Sequence, residues 1–227
     1  MKTGVGVVAA LVSSLAGVII IGLSLFLPAG TFNYWQAWVF IAIFTVTTTV
    51  PNLFLAMRRP DVLRRRMRAG PTSETRPVQK VASIGYFVLF FAVAVVSALD
   101  HRFGWSHVPT WVVLLGDVLV ATGLFIAMLA ILQNSFAASR VTVEEHQRVI
   151  SKGMYGVVRH PMYFGILVMM IGAPLSLGSF WGLILFVPGT LLFAVRILDE
   201  EKMLHAELVG YDYYAFRVRS RLVPYVW

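Results

Sequence analysis

The sequence predicts an all-α polytopic membrane protein of about six transmembrane helices, and three observations carry that expectation. Hydrophobic residues make up 58% of the 227 and charged residues only 13%, with a mean hydropathy of +0.77; soluble domains carry roughly 25% charged residues. Apolar runs close to the about 20 residues needed to cross a bilayer recur along the chain. Finally, Lys and Arg gather on alternate connectors. Cysteine is absent, which excludes disulfides, thiolate metal sites and Cys nucleophiles.

The first predicted span runs from about Val5 to Leu27. Lys2 before an apolar run resembles a signal peptide, but the run is too long and no small-x-small cleavage site follows, so a retained helix is expected. Pro28 to Thr31 breaks the chain, and Asn33 to Trp38 forms an aromatic interface belt. The second span covers Trp35 to Met57, with Pro51 and Asn52 loosening its end. The third is Val81 to Leu99, closed by the polar turn Asp100 to Trp105, and the fourth is Pro109 to Leu132. Residues 1–132 thus form a four-helix scaffold and 133–227 the chemistry-bearing part of one integrated domain.

That second part opens with a polar connector, Gln133 to Arg159. Alternation at Val141-Thr142-Val143 and Val149-Ile150 predicts an extended segment or hairpin there. Two short apolar segments follow, Pro161 to Leu177 and Phe180 to Leu198, joined by an uncharged turn over Gly172 to Ser179. Pro188-Gly189 predicts a kink in the second. The tail, Asp199 to Trp227, starts helical and rests on the interface.

With an inward N-terminus and this span count, every Lys and Arg except Arg102 falls on the cytoplasmic side, as the positive-inside rule asks. Both termini are therefore expected on the cytoplasmic side, and a prokaryotic cell membrane is the expected setting. The net charge of +8 reads as a topology signal facing the lipid bilayer, and no nucleic-acid partner is expected.

Chemistry concentrates in Gly153 to Gly165, where two Tyr, Arg159, His160 and Pro161 precede an apolar helix. The topology brings this run beside Arg196-Ile197-Leu198-Asp199-Glu200-Glu201. Three acids at a helix C-terminus oppose its dipole and need a partner: Arg196, Arg159 or a bound cation. Pro161 suits the first helical position, so Arg159 and His160 read either as headgroup contacts or as parts of an anion pocket at the helix N-terminus. Asp117, toward the outer end of the fourth span, reads as hydrogen-bonded rather than catalytic. Glu201 and His205 lie four apart, but five scattered His and no His-rich cluster argue against a metal centre. Gly165, Gly172 and Gly182 are expected at close helix contacts.

Gly153-Met154-Tyr155, Arg159-His160-Pro161-Met162-Tyr163-Phe164-Gly165, Arg196-Ile197, Glu200-Glu201, Leu204, Gly210 and Tyr213, in that order, resemble the isoprenylcysteine carboxyl methyltransferase family and the related phospholipid N-methyltransferases. The resemblance covers about Asn134 to Trp227. Met154 stands where Pro is common, and Phe216 where a second Tyr is frequent. It implies a cytosol-facing C-terminal cofactor pocket for S-adenosyl-L-methionine (S-adenosylmethionine), lined by Tyr155, His160, Pro161, Tyr163, Glu200 and Glu201. A lipophilic small-molecule acceptor would arrive from the bilayer. Arg159 would orient an acceptor carboxylate, and Glu200 or Glu201 would act as base toward an amine; replacing Arg159 or Glu201 by Ala should abolish transfer while leaving the chain folded. The ending Arg221 to Tyr225 also resembles NADPH-dependent sterol-type reductases, but a 2′-phosphate asks for extra basic groups where this tail offers Glu200-Glu201.

Overall fold

Because the loop polar groups are few and the apolar runs long, helices account for nearly all the regular structure. The structure, a computed structural model, describes residues 3–67, 70, 72–138, 141–143 and 147–227. Lys2, Arg68 of the basic connector and Glu144 to His146 of the polar one lie outside the described residues. The helices are α1 (Thr3–Ala29), α2 (Trp35–Arg58), α3 (Pro60–Met67), α4 (Pro77–Phe103), α5 (Thr110–Gln133), α6 (Pro161–Ser176), α7 (Phe186–Glu207) and α8 (Tyr211–Arg217).

Among the described residues, five segments are long and apolar enough to cross a membrane: Gly6–Ala29, Trp35–Arg58, Pro77–Phe103, Thr110–Gln133 and Trp181–Glu207. Helix α6 is the sixth apolar helix of the expected set, and it has only 16 residues. At 1.5 Å per residue it covers about 24 Å, short of the roughly 30 Å hydrocarbon core. It still reaches the opposite end of the bundle, where the Tyr34 hydroxyl donates to the Leu177 carbonyl at 2.6 Å.

No strand occurs among the described residues, and 141–143 and 147–150 are irregular chain; the middle of the expected extended segment or hairpin lies outside the described residues. Two expectations change. Helix α6 continues through Gly172 and Pro174, leaving a turn only at Leu177 to Ser179. Pro188 does not kink α7. It sits in the first turn, where a missing N–H breaks no helical bond, and the irregularity is the 3₁₀ turn Trp181–Leu185 ahead of it.

In lipid, helices cannot rely on burying oil against oil, so close backbone approach carries more of the packing. The α5–α6 pair shows this most strongly. A Cβ on Gly123 would lie 2.4 Å from the Gly165 carbonyl oxygen, and one on Gly165 would lie 2.5 Å from that of Gly123. Only hydrogen fits at either position. Gly172 meets Gly116 in the same way, and Gly182 abuts Pro174, as expected. Around this pair, Leu25, Ala37, Phe40, Val93, Val120 and Met169 form the main core. The short helix α3 was not anticipated. Its Val62 and Leu63 are buried against Leu55, Met128 and Ile131, while Arg64 remains exposed.

Candidate active site

The site forms where the start of α6 meets the end of α7 and the tail. Pro161 holds the residue before it out of the helical region, and His160 has φ −123° and ψ 61°. Extended residues present their N–H groups sideways. Here Arg159 N donates to Ser220 O at 3.0 Å and His160 N to Arg221 O at 2.9 Å, so the tail is laced onto the motif through its backbone.

Consecutive helical residues point about 100° apart, and the three acids of α7 take three different sets of partners. Asp199 receives two bonds from Arg76, at 2.6 and 2.9 Å, and one from Gln79 at 2.7 Å. Glu201, 4% exposed, accepts from Arg159 Nε at 2.7 Å on Oε1 and from Arg221 Nε at 2.7 Å on Oε2. Arg159 Nη2 adds a bond at 3.3 Å, and His160 Nε2 lies 3.2 Å from Oε1. Glu200 turns the third way and accepts the Tyr163 hydroxyl proton on Oε2 at 2.7 Å. Among the described residues its Oε1 has no partner.

Arg159 is equally occupied. Beyond Glu201, its Nη1 donates to the carbonyls of Ala215 and Val218 at 3.3 and 3.1 Å, capping the end of α8. Its donors therefore fasten the tail. A buried carboxylate between two guanidiniums is a latch that ties the motif, α7 and the tail together, and removing Arg159 would leave Glu201 only Arg221 and His160.

Beside the latch opens a cleft whose empty space, counting the part open to solvent, is about 770 Å³. Of the residues named from sequence, Tyr155, Arg159, His160, Tyr163 and Glu200 line it. Pro161, under 2% exposed, and Glu201 do not: one is packed in the first turn of α6, the other lies behind the wall. Met203 and Leu204 of α7 give the wall an apolar portion, and residues 141–142 and 147–150 contribute much of the cover.

Tyr211 and Tyr214 complete the roof and escaped the sequence reading. Tyr213, named instead, is 68% exposed, as is Phe216 at 72%. The i, i+3 spacing of Tyr211 and Tyr214 on one helical face was the available signal. Burial raises both phenols, and that of Tyr155, above the usual tyrosine range, so they are neutral donors at physiological pH. His205 pairs with Asp212 and Glu201 with arginines, so the two do not share a ligand.

Comparison with known proteins bears on this geometry. Residues 111–208 match the phospholipid methyltransferase family. The chain is also 32% identical over 132 residues to protein-S-isoprenylcysteine O-methyltransferase B of Arabidopsis thaliana, covering 56% of this chain and 64% of that relative. The match thus spans somewhat under two thirds of the relative's length. Both findings support the resemblance read from the motifs. The family match runs from α5 to the end of α7 and so contains the floor and wall of the cavity, but neither α8 nor the tail that roofs it.

Proposed function

We propose that the chain is an integral membrane methyltransferase that moves a methyl group from S-adenosylmethionine to the carboxylate of a lipophilic, isoprenylcysteine-type acceptor. One observation carries the reading: the cavity lies against the family-matched segment and has a carboxylate, Glu200, with an oxygen left open among the described residues.

The donor set fits that cofactor. S-adenosylmethionine has a sulfonium, an ammonium and a flat purine, and when bound it supplies an electrophilic methyl group. Glu200 sets negative charge against the cations. Tyr155, Tyr211 and Tyr214 offer aromatic surface and hydroxyl donors, and Met203 and Leu204 offer apolar surface. The latch of Arg159, Glu201 and Arg221 holds the roof in place, which excludes water and keeps the reacting groups at contact distance, both general sources of rate.

A carboxylate acceptor is already a nucleophile and needs no base. That agrees with Glu201, whose oxygens are held by two guanidiniums and His160 and make it a poor proton acceptor. An amine acceptor would require one, and Glu200 Oε1 is the candidate. The cavity end carries Arg59, Arg76, Arg196 and Arg221, which by the positive-inside rule faces the cytoplasm.

Labelled-methyl transfer in membranes tests the reading directly, with prenylated cysteine and phosphatidylethanolamine as acceptors. A base-labile ester product supports carboxyl transfer, and a base-stable methylamine replaces it with amine transfer. Calorimetry that finds NADPH bound and S-adenosylhomocysteine not bound overturns the class.

A further inference from the structure

We infer that Glu74, on the connector between α3 and α4, is a positioning residue for the cavity carboxylate and for its cover. The inference rests on the methyltransferase reading. Glu74 lies outside the family-matched segment, and its side chain is 3% exposed.

Each oxygen of Glu74 holds a different arm. Oε2 accepts the backbone N–H of Val141, a residue of the cavity cover, at 3.2 Å. Oε1 accepts Arg196 Nη2 at 2.8 Å. Arg196 Nε in turn donates to the Tyr163 hydroxyl at 2.9 Å, and that hydroxyl donates to Glu200 Oε2 at 2.7 Å. The sense of every bond is fixed, because a guanidinium and a backbone N–H can only donate. With its oxygen accepting from Arg196, Tyr163 directs its proton to Glu200. Oε2 of Glu200 is thereby occupied and Oε1 remains for the cavity.

Glu74 therefore does two things from outside the cavity. It anchors the cover at Val141, and it orients Arg196, which sets the rotamer of Glu200. Ser83 and the Gln79 carbonyl hold Arg196 Nη1 at 2.8 and 3.4 Å, so the guanidinium keeps a bearing on α4 even when Glu74 is altered. Loss of Glu74 should therefore loosen the cavity before it unfolds the bundle.

The experiment uses the full chain in detergent, with S-adenosylhomocysteine as the calorimetric probe and labelled-methyl transfer for rates. Glu74→Gln puts an amide donor against one of two donors and should weaken binding about tenfold, with Glu74→Ala weaker still. KM for the methyl donor should rise in parallel while kcat stays within about threefold. Val141→Pro removes only the cover arm and should give a smaller loss. A double-mutant cycle with Tyr163→Phe reads the other arm: if Glu74 acts through Tyr163, the double variant falls short of the product of the two single losses. A fully multiplicative result overturns that arm, and Glu74→Gln that binds like wild type overturns the inference. Should Glu74→Ala not purify as a monodisperse species, Glu74→Gln and Val141→Pro decide. A wild-type protein that binds no S-adenosylhomocysteine defeats the underlying reading instead.

Discussion

The two ends of the bundle solve the same problem, a buried acid in a membrane protein, in opposite ways. At the cavity end Glu74, Asp199 and Glu201 each meet at least one arginine. At the Tyr34 end the acids meet hydroxyls: Asp100 accepts from Ser106 and Ser179, and Asp117 from Ser176. Ion pairs span gaps between separate segments, tying a loop, a tail and two helices into one frame around an opening. Serine contacts instead plug the junctions between adjoining helices, and the Tyr34 ring stacked on His101 at 3.9 Å closes that end further. Charge frames a site at one end, and dipoles seal the other.

That contrast can be broken by Arg159→Ala, which carries the largest expected effect. The change leaves Glu201 to Arg221 and His160 but takes the donor from the Ala215 and Val218 carbonyls, a cost of roughly 1–3 kcal/mol, so the melting temperature should fall together with a loss of methyl transfer of at least about a hundredfold. This revises the sequence-based expectation that the chain stays intact: Arg159 fastens the tail as well as bordering the cavity. Transfer at the wild-type rate with an unchanged melt would refute the latch.

Glu200→Gln comes next and should separate affinity from stability. Among the described residues Glu200 makes one hydrogen bond, so melting should move little while S-adenosylhomocysteine affinity drops about tenfold, roughly 1.4 kcal/mol. Equal affinity in a calorimeter would take Glu200 out of the cofactor site. At the sealed end the reverse is expected. Asp100→Ala leaves Ser106 and Ser179 without their acceptor and should cost roughly 1–3 kcal/mol of stability, with affinity unchanged. Asp117→Asn should do least, since Asn keeps an acceptor for Ser176 and removes a charge from the span. A tenfold loss of turnover there would make Asp117 part of the chemistry and end the contrast.

Much of this was legible in the sequence, for reasons that can be stated. Long apolar runs declare their own helices, and short connectors force Arg159-His160 and Glu200-Glu201 to the same end of the bundle. What spacing could not reveal was which acid meets which base. Asp199, Glu200 and Glu201 are adjacent in sequence yet radiate in different directions, and their partners Arg76 and Arg221 lie far away along the chain. Glu74 reaches Arg196 across 122 positions, a distance over which no periodicity speaks. Hydropathy marks α6 as an apolar helix, but at 16 residues its reach across the bundle is legible only from contacts such as Tyr34 with Leu177. Tyr211 and Tyr214 hid within an aromatic-rich helix where only the face, not the residue type, separates the inward rings from Tyr213.

The glycine contact between α5 and α6 constrains traffic as well as packing. Where Gly123 and Gly165 touch, there is no width for a hydrocarbon chain, and the same holds a turn or two along at Gly116 and Gly172. An acyl or prenyl tail cannot slip sideways through that joint from the bilayer. Any greasy guest bound for the cavity must part a different pair of helices.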